Sequence, residues 1–229
     1  MTILFDFGGT LDADGTRWSV RFHEAYRRAG GRLGLERFEP LFRESDRQLA
    51  YLLGIRRAGF LATLEAQSAL LTQLLGAVGE VLEPALMAEP VYQSALSIVA
   101  RNRLTLSRLA GEHRLGIVSN FTGNLDVCLA ELELASLFDV VIDSTNAGFA
   151  KPDPRIFLLA LLALDSEPSA TWMVGDNPDA DLRPAAALGM KTCWLTAPED
   201  QRPLPPGLPT ARILRLPDLA EVLEHSCTV

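Results

Sequence analysis

Lysine is nearly absent from this chain of 229 residues: of its 21 basic residues only Lys151 and Lys191 are lysine. A chain that uses arginine almost everywhere and keeps lysine at two positions makes those positions candidates for a specific task. Positive charge as a whole is in the minority, with 29 acidic residues against 21 basic ones and a formal charge of −8. That balance leaves no electrostatic footprint for a phosphate backbone or an anionic membrane surface, so nucleic acid is excluded as a main partner. Cysteine is scarce and odd in number. Cys128, Cys193 and Cys227 show no C-x-x-C spacing, which excludes a disulfide framework and a thiolate zinc site; they read as small core or surface residues in a reducing compartment. Long apolar runs are missing too: a stretch such as Phe157–Leu164 falls far short of the ~20 residues of a membrane span. No basic stretch precedes an apolar one in Met1–Asp6, so no export signal is legible and a cytoplasmic protein is expected.

What is present is a globular composition, 48% hydrophobic and 22% charged. Thr2–Phe7 reads as a buried strand running into the tight loop Gly8-Gly9-Thr10. From Arg17 to about Arg108, apolar residues recur at three- and four-residue spacings. Gly30-Gly31, Pro40, Gly76, Gly79, Pro84 and Pro90 punctuate the stretch, which predicts several helices with short turns. After Arg114 the rhythm becomes strand, loop, helix: strands at Leu115–Val118, Val140–Ile142, Trp172–Val174 and Thr192–Leu195, helices at Asn124–Glu133, Pro154–Leu164 and Ala180–Leu188. Residues 197–210, with five prolines, predict a loop, and Ile213–Leu216 a last strand before a closing helix. Alternation of this kind implies a parallel sheet covered on both faces. The fold class is therefore α/β, a doubly wound Rossmann-like core of residues 1–14 and 109–229 with a helical insert at 15–108.

Polar residues gather at the C-terminal ends of the predicted strands: Asp6 on the first, Ser119 and Asn120 on the second, Lys151 after the third, Asp176 and Asp181 on the next. In open α/β sheets ligands bind at that edge, so residues distant in sequence should converge there. Carboxylates hold Mg²⁺ through oxygen. A lysine neutralises phosphate charge, and a hydroxyl with backbone N–H groups binds its oxygens. Together they form a kit for a phosphoryl group. Asp153 reads as the N-cap of the helix opening at Pro154, and Asp179 as solvated surface. On the insert, Arg17, Trp18, His23 and Tyr26 read as one amphipathic helix with aromatic residues inward and arginine outward, and Arg56-Arg57 as a solvated face.

With these motifs in order the chain resembles the haloacid dehalogenase-like hydrolases. Asp6-Phe7-Gly8-Gly9-Thr10 matches the family's first motif, Ser119 its second, Lys151-Pro152 its third, and Gly175-Asp176 with Asp181 its fourth. The insert is similar to the family's C1-type cap. The resemblance implies an aspartyl-phosphate formed on Asp6. It implies Mg²⁺ held by Asp6, Asp176 and the backbone carbonyl of Gly8, with Asp181 supporting the metal or its waters. It gives Ser119, Asn120 and Lys151 to the phosphate and Thr10 to steadying the first loop. The expected reaction is Mg²⁺-dependent hydrolysis of a small phosphorylated metabolite, by a monomer or homodimer.

The departure is Gly8, where family phosphatases carry the Asp that protonates the leaving oxygen and then activates water. General acid–base catalysis contributes about 10²–10⁴-fold, so alkyl esters should be poor substrates. Either the leaving group is good, as in an acyl or aryl phosphate, or Asp12, Asp14 or His23 supplies the proton, or the fold serves binding alone. A metal-independent attack of Asp6 on carbon, as in haloacid dehalogenases, is the enzymatic alternative. Imine chemistry is disfavoured because residues 15–108 contain no lysine.

Overall fold

The computed structural model describes residues 1–198, 200, 202 and 207–226. Cys227 and part of the proline-rich loop lie outside the described residues; residues 197, 198, 200, 202 and 207–210 form neither strand nor helix. Among the described residues six strands form one sheet: β1 (Thr2–Phe5), β2 (Arg114–Ser119), β3 (Val140–Asp143), β4 (Thr171–Gly175), β5 (Lys191–Leu195) and β6 (Ala211–Ile213). The order is β3-β2-β1-β4-β5-β6 and every pairing is parallel. β1 lies between β2 and β4, with Thr2 opposite Arg114 on one side and Thr171 on the other. The chain winds outward in both directions from that pair, so the crevice at the switch in strand order opens beyond the C-terminal ends of β1, β2 and β4.

Period-two alternation divides the strands between two cores. Leu4, Val118 and Met173 point to one face and pack with Ile156, Phe157, Ala160 and Leu161 of α7 (Pro154–Ala163). Ile3, Phe5, Ile117, Trp172 and Val174 point to the other, into a larger apolar cluster that continues into the helices between β1 and β2. Those helices are α1 (Trp18–Arg28), α2 (Leu35–Leu49), α3 (Phe60–Gly76) and α4 (Ala85–Ala110). Phe22, Phe38, Phe60, Leu71 and Val99 carry the cluster through them. No helix of the described residues is long and apolar enough to cross a membrane.

The remaining helices are α5 (Leu125–Glu131), α6 (Ser144–Ala147), α8 (Arg183–Ala187) and α9 (Leu219–Ser226). Asp153 caps α7, accepting from Arg155 N, and Asp179 is exposed and paired with Arg183, as the sequence suggests. Cys128 and Cys193 are buried in the core, where burial pushes each thiol up to about 12. Arg56 and Arg57 are exposed.

Several expectations are corrected. Strand β1 ends at Phe5, because Asp6 opens a wide turn, Phe7–Leu11, that leaves the sheet. Pro40 and Pro90 do not break helices but lie in the second turns of α2 and α4, where the missing N–H costs each a single bond near the helix start. The segment expected as a helix from Ala180 begins as a wide turn, Pro178–Leu182, and becomes α-helical only over Arg183–Ala187. The last strand is Ala211–Ile213, not Ile213–Leu216. Its register on β5 pairs Cys193 with Ala211 and Leu195 with Ile213, and buried Leu216 already starts a 3₁₀ turn.

Candidate active site

Two glycines shape the floor of the crevice. Gly9 has φ +92°, and a Cβ there would lie 2.8 Å from Asp176 Cγ. Only glycine meets both the left-handed backbone and that close approach. A Cβ on Gly175 would stand 2.3 Å from Asp181 Oδ2, so the Gly175-Asp176 step exists to let the Asp181 carboxylate pass.

Against these glycines the charged groups form one network. Ser119 Oγ donates to Asp6 Oδ1 at 2.8 Å, and Lys151 Nζ lies 2.7 Å from the same oxygen. The ammonium also reaches Asp181 Oδ1 at 2.6 Å, while Asp181 Oδ2 accepts from Asn177 N at 3.0 Å. Asp6, Asp176 and Asp181 each offer an oxygen within 4.8 Å of the others, and all three are buried. Burial works against the charge of Lys151, but Asp181 and then Asp6 hold its ammonium well above the ordinary lysine range. Burial, then the charges of Asp6 and Asp181, pushes the Asp176 carboxyl well above the usual carboxylate range. Asp181 is pushed up to about 6 by burial, with Lys151 opposing.

Three buried carboxylates against one lysine leave negative charge that a low-dielectric site tolerates poorly. No described group donates a hydrogen bond to the Asp176 carboxylate. An all-oxygen set of three carboxylates bordering the crevice fits a hard divalent cation such as Mg²⁺.

Asn120, expected at the substrate, borders the same crevice and also braces the lysine loop. Its Nδ2 donates to Lys151 O at 3.0 Å and its Oδ1 accepts from Lys151 N at 2.7 Å, so both ends of the amide hold the lysine loop. The Thr10 hydroxyl is buried with no hydrogen-bond partner among the described residues. The β1 turn is tied instead by Asp12, whose Oδ1 accepts from Gly9 N at 2.8 Å.

Asp12 was expected only as a possible proton source, and Arg21 was not singled out at all. Asp12 is fully buried, and its Oδ2 accepts from Trp18 Nε1 and Arg21 Nη1, each at 2.8 Å. Arg21 Nη2 donates to Val91 O of α4 at 2.9 Å. Burial raises the Asp12 pKa, with Arg21 pulling the other way. This buried pair fastens α1 and α4 to the turn after β1. Arg21 falls among Trp18, Phe22, Ala25 and Tyr26 on one apolar helix face, and a lone charge in such a stripe was the signal available.

The other expected proton sources are occupied as well. Asp14 pairs with Arg101 and accepts from Asn102. His23 hydrogen-bonds Leu33 O at 2.9 Å and stacks on Tyr26. Tyr26 packs inward as expected, whereas Trp18 borders a cavity of about 490 Å³ between the sheet edge and the helices. Asp6, Gly8, Ser119, Lys151, Asp176 and Asp181 lie on its floor. Its roof is a stripe of α2, namely Glu39, Arg43, Asp46, Arg47 and, one turn on, Ala50.

Comparison with known proteins agrees with this geometry. The family described as haloacid dehalogenase-like hydrolase matches residues 1–189. Over 111 residues the chain is 39% identical to haloacid dehalogenase-like hydrolase domain-containing protein 3 of Homo sapiens, covering 48% of this chain and 43% of that protein. Over 92 residues it is 40% identical to a phosphoserine phosphatase of Thermus thermophilus, covering 39% of this chain and 34% of that one. The chain thus spans less than half the length of either curated relative. L-2-haloacid dehalogenase from Xanthobacter autotrophicus, with chloropropionic acid covalently bound, superposes with a TM-score of 0.62 at 19% identity, covering 97% of this chain and 98% of that one. That likeness is one of fold.

Proposed function

Because the chain belongs to the haloacid dehalogenase-like hydrolases, we propose that it is a Mg²⁺-dependent phosphatase of a small phosphorylated metabolite, working through an aspartyl-phosphate on Asp6. The observation that carries this reading is the buried network in which Asp6 Oδ1 is held by Ser119 Oγ at 2.8 Å and Lys151 Nζ at 2.7 Å. With one oxygen held by two donors, the other is left to attack phosphorus, which is nucleophilic catalysis by a carboxylate. Ser119 Oγ and Lys151 Nζ then exchange the carboxylate for phosphoryl oxygens, and the lysine charge offsets the repulsion between phosphate and Asp6. Asn120 keeps the ammonium in register through the Lys151 backbone. Asp181 anchors the same ammonium from the opposite side.

Asp6, Asp176 and the Gly8 carbonyl would hold Mg²⁺, with Asp181 beside it, and the bound ion supplies positive charge for the phosphoryl oxygens. Residues 15–108 act as a C1-type cap that excludes water from the crevice. Gly8 brings no acid to the leaving oxygen, so turnover of alkyl esters is weak. A dehalogenase reading, in which Asp6 attacks carbon without a metal, gives the cluster of Asp176 and Asp181 beside Asp6 nothing to hold. A purely binding role leaves the network around Asp6 equally unused.

The test is phosphate release from aryl, acyl and alkyl phosphates with Mg²⁺ and with EDTA. Mg²⁺-dependent release that falls about 10³-fold or more in a folded Asp6→Asn variant is expected. Silence on every ester by a Mg²⁺-binding protein overturns the reading.

A further inference from the structure

The residue two positions after the nucleophile is where a side chain could reach the leaving oxygen, and here Gly8 offers none. An aromatic ring borders that space. A Cβ on Gly8 would meet Trp18 Nε1 at 3.4 Å and Cε2 at 3.5 Å, so the indole lies directly over that glycine. Its ring is braced by Phe60 at 6.0 Å, Phe121 at 6.1 Å and Phe22 at 6.4 Å between centroids, and its N–H is spent on Asp12 at 2.8 Å. What faces the crevice beside Gly8 is therefore an immobilised aromatic surface with no proton to give. Asp12, Asp14 and His23 are each tied elsewhere, and Glu39 on the roof is shared by Arg17 and Arg43 at 3.1 Å each.

We propose that Trp18 is the specificity-determining platform for the leaving group, and that the site takes phosphate esters whose leaving group is planar and departs as an anion: aryl, enol or acyl phosphates. The inference rests on the phosphatase reading of the same site. In the step it describes, the bond from an Asp6 oxygen to phosphorus forms as the phosphorus–oxygen bond to the leaving group breaks. The electron pair goes with the leaving oxygen, which needs no proton. Water then attacks phosphorus, one proton passes to bulk solvent, and Asp6 is released with inorganic phosphate. An aromatic ring stacks on a planar leaving group, or turns its positive edge to the departing oxygen, without having to protonate it.

The test is a leaving-group series on the intact protein with Mg²⁺: substituted phenyl phosphates, acetyl phosphate and an alkyl phosphate. The expected result is a steep rise of kcat/KM as the leaving-group pKa falls, with the alkyl ester about 10²–10⁴-fold below the best aryl ester. Trp18→Phe retains the slope. Trp18→Leu, checked for folding by circular dichroism, raises KM for aryl esters about 2- to 10-fold and leaves acetyl phosphate, which offers no ring, less affected. A shallow slope, with alkyl and aryl esters turned over alike, overturns the inference and leaves the phosphatase reading standing. If that shallow slope steepens in Asp46→Asn, the proton comes from the roof carboxyl that borders the same cavity. Equal KM changes for aryl and acetyl phosphate in Trp18→Leu also overturn the platform. Loss of all phosphate release in the unmodified protein overturns both readings.

Discussion

The floor and the roof of the cavity are built on opposite plans. On the floor, Asp6, Lys151, Asp176 and Asp181 are all buried, and glycines at positions 9 and 175 make room for their carboxylates. On the roof, the charges of α2 stand largely in solvent: the side chains of Arg43 and Arg47 are 73% and 71% exposed, and their ion pairs lie within one helix. Exposed pairs of this kind contribute ~0–1 kcal/mol each and rearrange easily. On the proposed phosphatase reading, the buried floor suits the constant part of a substrate, the phosphoryl group, and the exposed roof suits the variable part. Between them sits an exception, the buried Asp12–Arg21 pair, which ties α1 and α4 to the turn after β1 with charges as buried as those of the floor.

That contrast is most directly broken at the exception. Arg21→Met should destabilise the protein by about 3–5 kcal/mol, because Asp12 is left buried without its charge partner. Arg43→Ala should cost ~1 kcal/mol or less. Denaturant unfolding of the two variants checks this, and similar costs would erase the distinction between joint and roof.

The next effect concerns Gly8. Gly8→Asp alone should bring a smaller gain on an alkyl phosphate, since its Cβ would already touch the Trp18 indole and the carboxyl must share that space. Gly8→Asp combined with Trp18→Ala should raise kcat/KM on that ester by about 10²-fold over Trp18→Ala. A full gain in Gly8→Asp alone would mean that the indole moves aside freely.

The same division explains what was legible in the sequence. Asp6, Ser119, Lys151, Asp176 and Asp181 follow strands whose apolar pattern is plain, and a parallel sheet brings their C-terminal ends together. The glycines beside them were legible as turns but not as spaces, because a close approach such as Gly175 to Asp181 depends on distant backbone. Arg21 looked like one arginine among many, since helix periodicity places it on a face without saying what that face meets. The double use of the Asn120 amide was hidden for the same reason: its partner is the backbone of a loop 31 residues away. The early end of β1 at Phe5, and the two prolines absorbed into helices, were settled by tertiary packing, which overrides local propensity.

Asp176→Asn separates stability from function on the floor. It removes one of three mutually repelling buried carboxylates. Metal-free protein should gain ~1 kcal/mol, which in a chain of this size is about 2–4 °C in Tm. Mg²⁺-dependent activity should fall in the same variant. Thermal scans in EDTA check the first part. An unchanged or lower Tm would mean that Lys151 already offsets the charge in full.

The smallest effect lies on the roof. Asp46 is reached by solvent from the cavity, yet the surrounding walls desolvate its carboxyl and push it from 3.8 up to about 6. A carboxyl that protonates more easily folded than unfolded costs the fold stability as pH rises through that window. The cost is nil below the unfolded value and complete above the folded one. Asp46→Asn should therefore match the parent protein near pH 3.5 and exceed it near pH 8, by less than ~1 kcal/mol once solvent screening is counted. Burial alone raises the carboxyl, with no charged neighbour contributing, so high salt should change the difference only slightly. Tm differences between the two proteins at the two pH values measure it. A difference independent of pH would show that Asp46 is as fully hydrated as the arginines beside it, and the roof would then carry no group tuned by the cavity it covers.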